Sequence, residues 1–146
     1  MGLFDIINTI TNTVIKGTTD QVKIEGKGFN EWNCKWHSIG SLATADLSPY
    51  NHCVGLYRHM VNGEVKYIGR AIELNNGGFR KRLSDYRRGS DSGRTHTSGR
   101  IINENLDKIR TEILIVGEDD QAVENTKVLE RLFIAHYQPE WNKLLK

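Results

Sequence analysis

The chain has 146 residues, 38% of them hydrophobic, and a formal net charge of +2. That length fits one domain, or one small domain with an extension, and the near-neutral balance excludes a histone-like polycation. Two cysteines, Cys34 and Cys53, make no disulfide framework, and no apolar run is long enough to cross a bilayer. A soluble, cytoplasmic protein without a membrane partner is expected.

Leu3, Ile7, Ile10 and Val14 recur at helical spacing and predict an amphipathic helix ending near Gly17. Such a helix can pack on its own domain, or serve a protein partner or dimerisation. Its polar face has almost no cations for a membrane surface. Residues 18–51 hold Trp32 and Trp36 but no long periodicity, so residues 1–50 read as an N-terminal extension, helix first and irregular segment after. Cys34, His37, His52 and Cys53 are donors of the kind that bind zinc, but their grouping is loose; ordinary packing by aromatic and small residues is the plainer account.

From residue 51 to 146 the pattern sharpens into a second unit. Cys53 to Met60 reads as a strand, Asn62-Gly63 as a hairpin turn, and Val65 to Gly69 as the returning strand. A helix is expected from about Gly78 to Arg87, another from about Ser98 to Asp107, a third strand over Glu112–Val116, and a last helix from Asp120 to Tyr137, stopped by Pro139. The order β-β-α-α-β-α predicts an α+β sandwich around a three-stranded antiparallel sheet. Charge is uneven: residues 79–100 carry seven cations against two anions, net +5, which leaves −3 for the rest. A basic segment on an otherwise acidic chain attracts phosphate locally.

Gly55-Leu56-Tyr57 and Tyr67-Ile68-Gly69, on the two hairpin strands, resemble the paired motifs of the GIY-YIG nucleases. Arg82, Glu130 and Asn142 fall where that family keeps its other signature residues, so the resemblance spans about Cys53 to Asn142. Leucine stands for the usual isoleucine in the first motif, and the Asn75–Gly78 stretch lengthens the gap before the arginine. The resemblance implies a stand-alone endonuclease that hydrolyses DNA phosphodiesters with Mg²⁺ or Mn²⁺, by in-line displacement leaving a 5′-phosphate and a 3′-hydroxyl. A lone domain of this kind suits a phage, a mobile element, a defence system or a repair accessory. The rival reading is a non-catalytic nucleic-acid-binding module that keeps the fold.

The residues themselves fit that chemistry. Glu130 lies at heptad spacing from Val123 and Tyr137, with Phe133 and Ile134 a turn on, which puts a carboxylate on the apolar side of a helix. It needs a cation there: either a core arginine such as Arg82, or a hard divalent ion. Arg82 and Tyr86 share a helix face; the guanidinium can fork onto the scissile phosphate, and the phenol can bond water or a phosphate oxygen, or simply pack. Tyr57 would act as general base or orient the water, with Tyr67 as a second hydroxyl, although a phenol with a pKa of about 10 is a poor base at neutral pH.

This joint role requires both tyrosines on one face of the hairpin. A two-residue Asn62-Gly63 loop would pair Tyr57 with Ile68 and separate them, so a three-residue Val61-Asn62-Gly63 loop pairing Tyr57 with Tyr67 is expected. Gly55 and Gly69 read as positions of close backbone approach, by neighbouring structure or by DNA. His96 is a candidate acid or phosphate ligand. Arg80, Lys81, Arg87, Arg88, Arg94 and Arg100 read as nucleic-acid contacts, and Lys81 and Arg80 also as solvated surface cations. Asn142 reads as support that pins the chain near Glu130. No Gly-Lys-Ser/Thr follows Gly77-Gly78, which excludes a P-loop; the glycines are expected to turn the chain and expose helix amides to phosphate.

Overall fold

The computed structural model describes residues 22–88 and 97–143. Its elements in chain order are α1 (Phe29–Asn33), β1 (His37–Ser41), a 3₁₀ turn (Ser48–Tyr50), β2 (Val54–Val61), β3 (Glu64–Ala71), α2 (Gly78–Asp85), α3 (Thr97–Glu104), a second 3₁₀ turn (Leu106–Lys108), β4 (Arg110–Gly117) and α4 (Asp120–Tyr137). The expected mixed α+β architecture is present. The sheet is antiparallel throughout and has four strands in the order β1-β4-β2-β3, not three.

The additional strand, β1, comes from the segment expected to be irregular. Its five residues carry a bulge between Ser38 and Gly40, which hides its period-two pattern from a reading of the sequence. Residues before 50 also complete both cores: Phe29 and Trp32 join one hydrophobic cluster, and Leu42, Ala45 and Leu47 the other. The Cys/His zinc alternative finds no site here. Cys34 is exposed, Cys53 is buried, and among the described residues no three His, Cys, Asp or Glu side chains gather to hold an ion. The expected helix over residues 3–14, with its dimerisation role, lies outside the described residues. Among the described residues no helix is long and apolar enough to cross a membrane.

The β2–β3 hairpin decides how the tyrosines are placed. Val61 faces Glu64 across a two-residue turn in which Asn62 and Gly63 both take positive φ, 53° and 79°. Asn-Gly favours that turn because its twist matches the strands. The expected three-residue loop is therefore corrected. A bulge then does what the loop was expected to do: Met60 faces Val65 but His59 faces Tyr67, so Lys66 is an extra residue on β3. One added residue flips strand parity. Tyr57 ends opposite Gly69, not Tyr67, yet both tyrosines lie on one face of the sheet, in the same cluster as Phe79, Leu83 and Tyr86.

The other face carries α4. Asp119 caps this helix by accepting from the Ala122 amide at 2.8 Å, and Gln138, in the left-handed region at φ 45°, ends it before Pro139. Val128, Leu129, Leu132 and Phe133 form its buried stripe against Leu56, Ile68 and Leu114. Beyond α4 the chain returns to the free edge of β3. The Trp141 amide donates to the Lys66 carbonyl at 2.9 Å. The Asn142 side chain accepts from the Ile68 amide at 2.9 Å and donates to the Ile68 carbonyl at 2.8 Å. One side chain thus serves as a strand partner, the pinning role expected of it.

Candidate active site

Tyr57 stands at the centre of β2, fully buried, and its ring crosses β3 over Gly69. A Cβ at Gly69 would lie 2.5 Å from both Cζ and Oη of Tyr57. Gly69 is therefore glycine because the phenol occupies the space of its missing side chain. Gly55 has a parallel reason, since a Cβ there would collide with the Leu114 carbonyl oxygen on β4. In both cases the close neighbour is the protein itself.

The Tyr57 hydroxyl lies 2.6 Å from the Tyr86 hydroxyl, and Arg82 Nε donates to it at 3.4 Å. Arg82 and Tyr86 reach it from the α2 helix and its last turn, four residues apart as expected. Tyr67 adds its ring at 6.3 Å from that of Tyr57. Burial pushes the Tyr57 phenol above its ordinary range, and the Arg82 charge and the Tyr86 hydrogen bond only partly oppose it. Tyr86 is pushed further up, again by burial first. Arg82 is held firmly cationic, chiefly by the phenol of Tyr57 as that group ionises.

Glu130 comes from α4, on the opposite face of the sheet. Its carboxylate, 18% exposed, accepts from Arg70 Nη1 at 3.4 Å. Burial raises its pKa despite the opposing charges of Arg70, Arg82 and Arg131, and its own charge in turn raises that of Tyr57. Glu130 and the Tyr57 group thus lie on opposite faces of the sheet: the carboxylate bonds Arg70, while Tyr57 bonds Tyr86 and Arg82. Glu130 could hold a hard divalent ion only as a single carboxylate with phosphate oxygens and water as further ligands, because among the described residues no three His, Cys, Asp or Glu side chains gather to hold one.

Two residues of this group escaped the sequence reading. Arg70 directly follows Gly69, so strand alternation turns it to the α4 side, where Glu130 waits. His59 follows Tyr57 by two, which puts it on the tyrosine face. It is fully buried; Nδ1 is 2.9 Å from Thr111 Oγ1 and Nε2 has no hydrogen-bond partner. Alternation from Tyr57 and Tyr67 marks both positions once the bulge is known.

The basic segment is more committed internally than its charge suggests. Arg87 donates to the Leu42 and Ala45 carbonyls at 2.7 and 2.6 Å, which corrects its reading as a phosphate contact: it ties α2 to the loop after β1. Lys81 pairs with Glu73 at 3.0 Å and Asp85 at 3.6 Å. Arg80 donates to Asn51 at 2.6 Å, and Arg88 pairs more loosely with Asp85 at 3.6 Å. Arg100 is exposed on α3. Arg94 and His96 lie outside the described residues.

The glycine pair is also structural. Gly77 and Gly78 take φ of 96° and 48°, and a Cβ at Gly78 would collide with the Cys53 carbonyl oxygen. The amides expected to face phosphate are already used: Gly78 donates to Glu73 at 3.0 Å and Phe79 to Cys53 at 3.2 Å.

No family model, curated protein or solved structure matches the chain.

Proposed function

We propose that the chain is a metal-dependent endonuclease of the GIY-YIG type that hydrolyses DNA phosphodiester bonds. The observation that carries this reading is the buried Tyr57 hydroxyl, held by Tyr86 at 2.6 Å and Arg82 at 3.4 Å, with Glu130 adding a carboxylate from the other face of the sheet. A phosphate needs a fixed cation, a water needs an oriented acceptor, and an ion needs a carboxylate; these groups supply the three.

Arg82 binds the scissile phosphate and stabilises its charge as the new bond forms. Tyr57 remains protonated at neutral pH, because burial raises its pKa, so it works through its oxygen lone pair. With the phenol fully buried here, its oxygen can accept from the attacking water only where the side chains around it move apart; it is not a free phenolate base. Glu130 would hold Mg²⁺ or Mn²⁺, which when bound neutralises phosphate charge and sharpens the water as a nucleophile. Arg70, which pairs with Glu130 at 3.4 Å, would be free to bind phosphate if that carboxylate held an ion instead. The phosphorus–3′-oxygen bond breaks as the bond to water forms; the attacking water gives up its proton to bulk solvent, the 3′ oxygen takes one from solvent to leave as a hydroxyl, and the phosphate stays on the 5′ side.

The test is plasmid DNA incubated with Mg²⁺, Mn²⁺ or EDTA, beside Glu130→Ala. The expected result is metal-dependent nicking or linearisation that Glu130→Ala abolishes while DNA binding persists. Binding without cleavage by the parent protein would favour a non-catalytic module, in which the Arg70–Glu130 pair is structural. Equal cleavage by the variant would remove Glu130 from the site.

A further inference from the structure

His59 is the one described residue with a buried side-chain polar atom that lacks a partner. It sits at the middle of a cross-strand row, opposite Tyr67 on β3 and Thr111 on β4. Its ring stacks on Tyr67 at 6.0 Å and 17°, meets Tyr86 edge-on at 5.3 Å and 87°, and lies 5.1 Å from Tyr57. Every aromatic neighbour of this imidazole is therefore one of the three tyrosines of the candidate site. A buried polar atom left unpaired destabilises the fold. Leucine or phenylalanine would fill the same place without that cost, so packing alone does not account for a histidine.

The hydrogen-bond count in the tyrosine pair supplies a reason. Arg82 has only donors, so the Tyr57 oxygen accepts from it and the Tyr57 proton points elsewhere. The hydroxyl 2.6 Å away on Tyr86 is the acceptor at hand. Tyr86 then has a proton of its own with no acceptor inside the pair. Burial drives His59 down to about 3, so the ring is neutral and offers one acceptor nitrogen.

We propose that His59 is a positioning residue: Nδ1–H anchors on Thr111, Nε2 accepts the Tyr86 proton, and the chain Tyr57 to Tyr86 to His59 fixes which way the Tyr57 lone pair faces. No proton is transferred; only hydrogen bonds are oriented. Nε2 has no partner in this structure, so the contact requires the Tyr86 side chain to move closer than it stands here. The role rests on the nuclease reading, because the lone pair so aimed is the one that receives the attacking water.

Two measurements test it. Imidazole ¹⁵N NMR of the wild-type protein, alone and with Mg²⁺ and a phosphorothioate duplex, reads the tautomer directly. The expected result is a neutral His59 protonated on Nδ1, with Nε2 shifting further as it accepts a hydrogen bond when the duplex binds. Protonation on Nε2 would mean that the ring donates toward an aromatic face, and would overturn the proposal. Single-turnover cleavage by His59→Phe and His59→Gln is the second arm. His59→Phe keeps the ring contacts and should lose about tenfold in the single-turnover rate constant with DNA affinity unchanged, equivalent to one oriented hydrogen bond. His59→Gln, which restores an acceptor, should recover most of that rate. Full activity in a folded His59→Phe would also overturn the proposal. A wild-type protein that cuts no DNA would sink the nuclease reading, while the tautomer would still decide the hydrogen-bond arrangement.

Discussion

The two faces of the sheet differ in kind. Under α4, aliphatic side chains meet aliphatic and aromatic ones, and the polar groups there have partners: Arg58 binds Glu112 at 2.6 Å, Arg70 binds Glu130 at 3.4 Å, and Thr126 donates to the Ala122 carbonyl. On the opposite face the same strands bury three phenols, an imidazole and a threonine hydroxyl. A face that only had to hold the sheet together would avoid them, since each buried polar atom must find a partner. The tyrosine face has an apolar core of its own, with Leu42, Phe79, Leu83 and Ile113, but within it the phenols and the imidazole fix an arrangement of polar groups that the α4 face does not have.

Substitutions on the tyrosine face should therefore affect rate more than stability. Arg82→Ala has the largest expected effect, a loss of about 10²–10³ in single-turnover cleavage, the scale of removing one donor from developing charge. Thermal denaturation of the same variant should show it folded; a variant that fails to fold would place Arg82 among the structural groups. Gly69→Ala comes next. Its new methyl occupies the position of the Tyr57 phenol, so the ring must move, at about 1–3 kcal/mol in urea unfolding and with cleavage lost in the folded fraction. Unchanged cleavage would mean that the Tyr57 position is not critical.

The third effect depends on pH. His59 titrates near 6.5 when unfolded and near 3 when folded, so the unfolded chain binds more protons between those values. Stability from this group is complete above about pH 6.5 and falls as pH drops toward 3, by up to about 1.4 kcal/mol per pH unit. His59→Phe should flatten the acid limb of a stability profile by that amount, and an unchanged profile would contradict the buried neutral imidazole. The smallest effect separates the basic residues. Arg100→Ala should lower the salt slope of DNA binding by about one. Arg87→Ala should leave the slope alone and lower stability, because its guanidinium holds the Leu42 and Ala45 carbonyls.

Much of the fold was legible from pattern. Asn62-Gly63 marked the hairpin, alternation marked β2 and β3, and the apolar stripe with Pro139 marked α4. What escaped was set by irregularity. The bulge at His59/Met60 shifts parity by one residue, and that shift, rather than a longer turn, brings Tyr57 and Tyr67 to one face. A second bulge concealed β1. Sequence charge also overstated the exposed basic surface, because whether an arginine meets a phosphate or a carbonyl depends on what lies within its reach. Arg87 is the clearest case. The two glycines beside Tyr57 and Tyr67 were read correctly as sites of close approach, but the occupants, a phenol at Gly69 and a carbonyl at Gly55, needed coordinates.

On the nuclease reading, a phenol from one face of the sheet and a carboxylate from the other would serve a single phosphate at the edge of β3. A double-mutant cycle on single-turnover DNA cleavage, with Tyr57→Phe, Glu130→Gln and the pair, measures that coupling directly. The expected result is strong non-additivity, the double variant cutting about as slowly as the slower single one. Losses that simply multiply, or wild-type rates in either single variant, would show that the two groups do not work on the same bond.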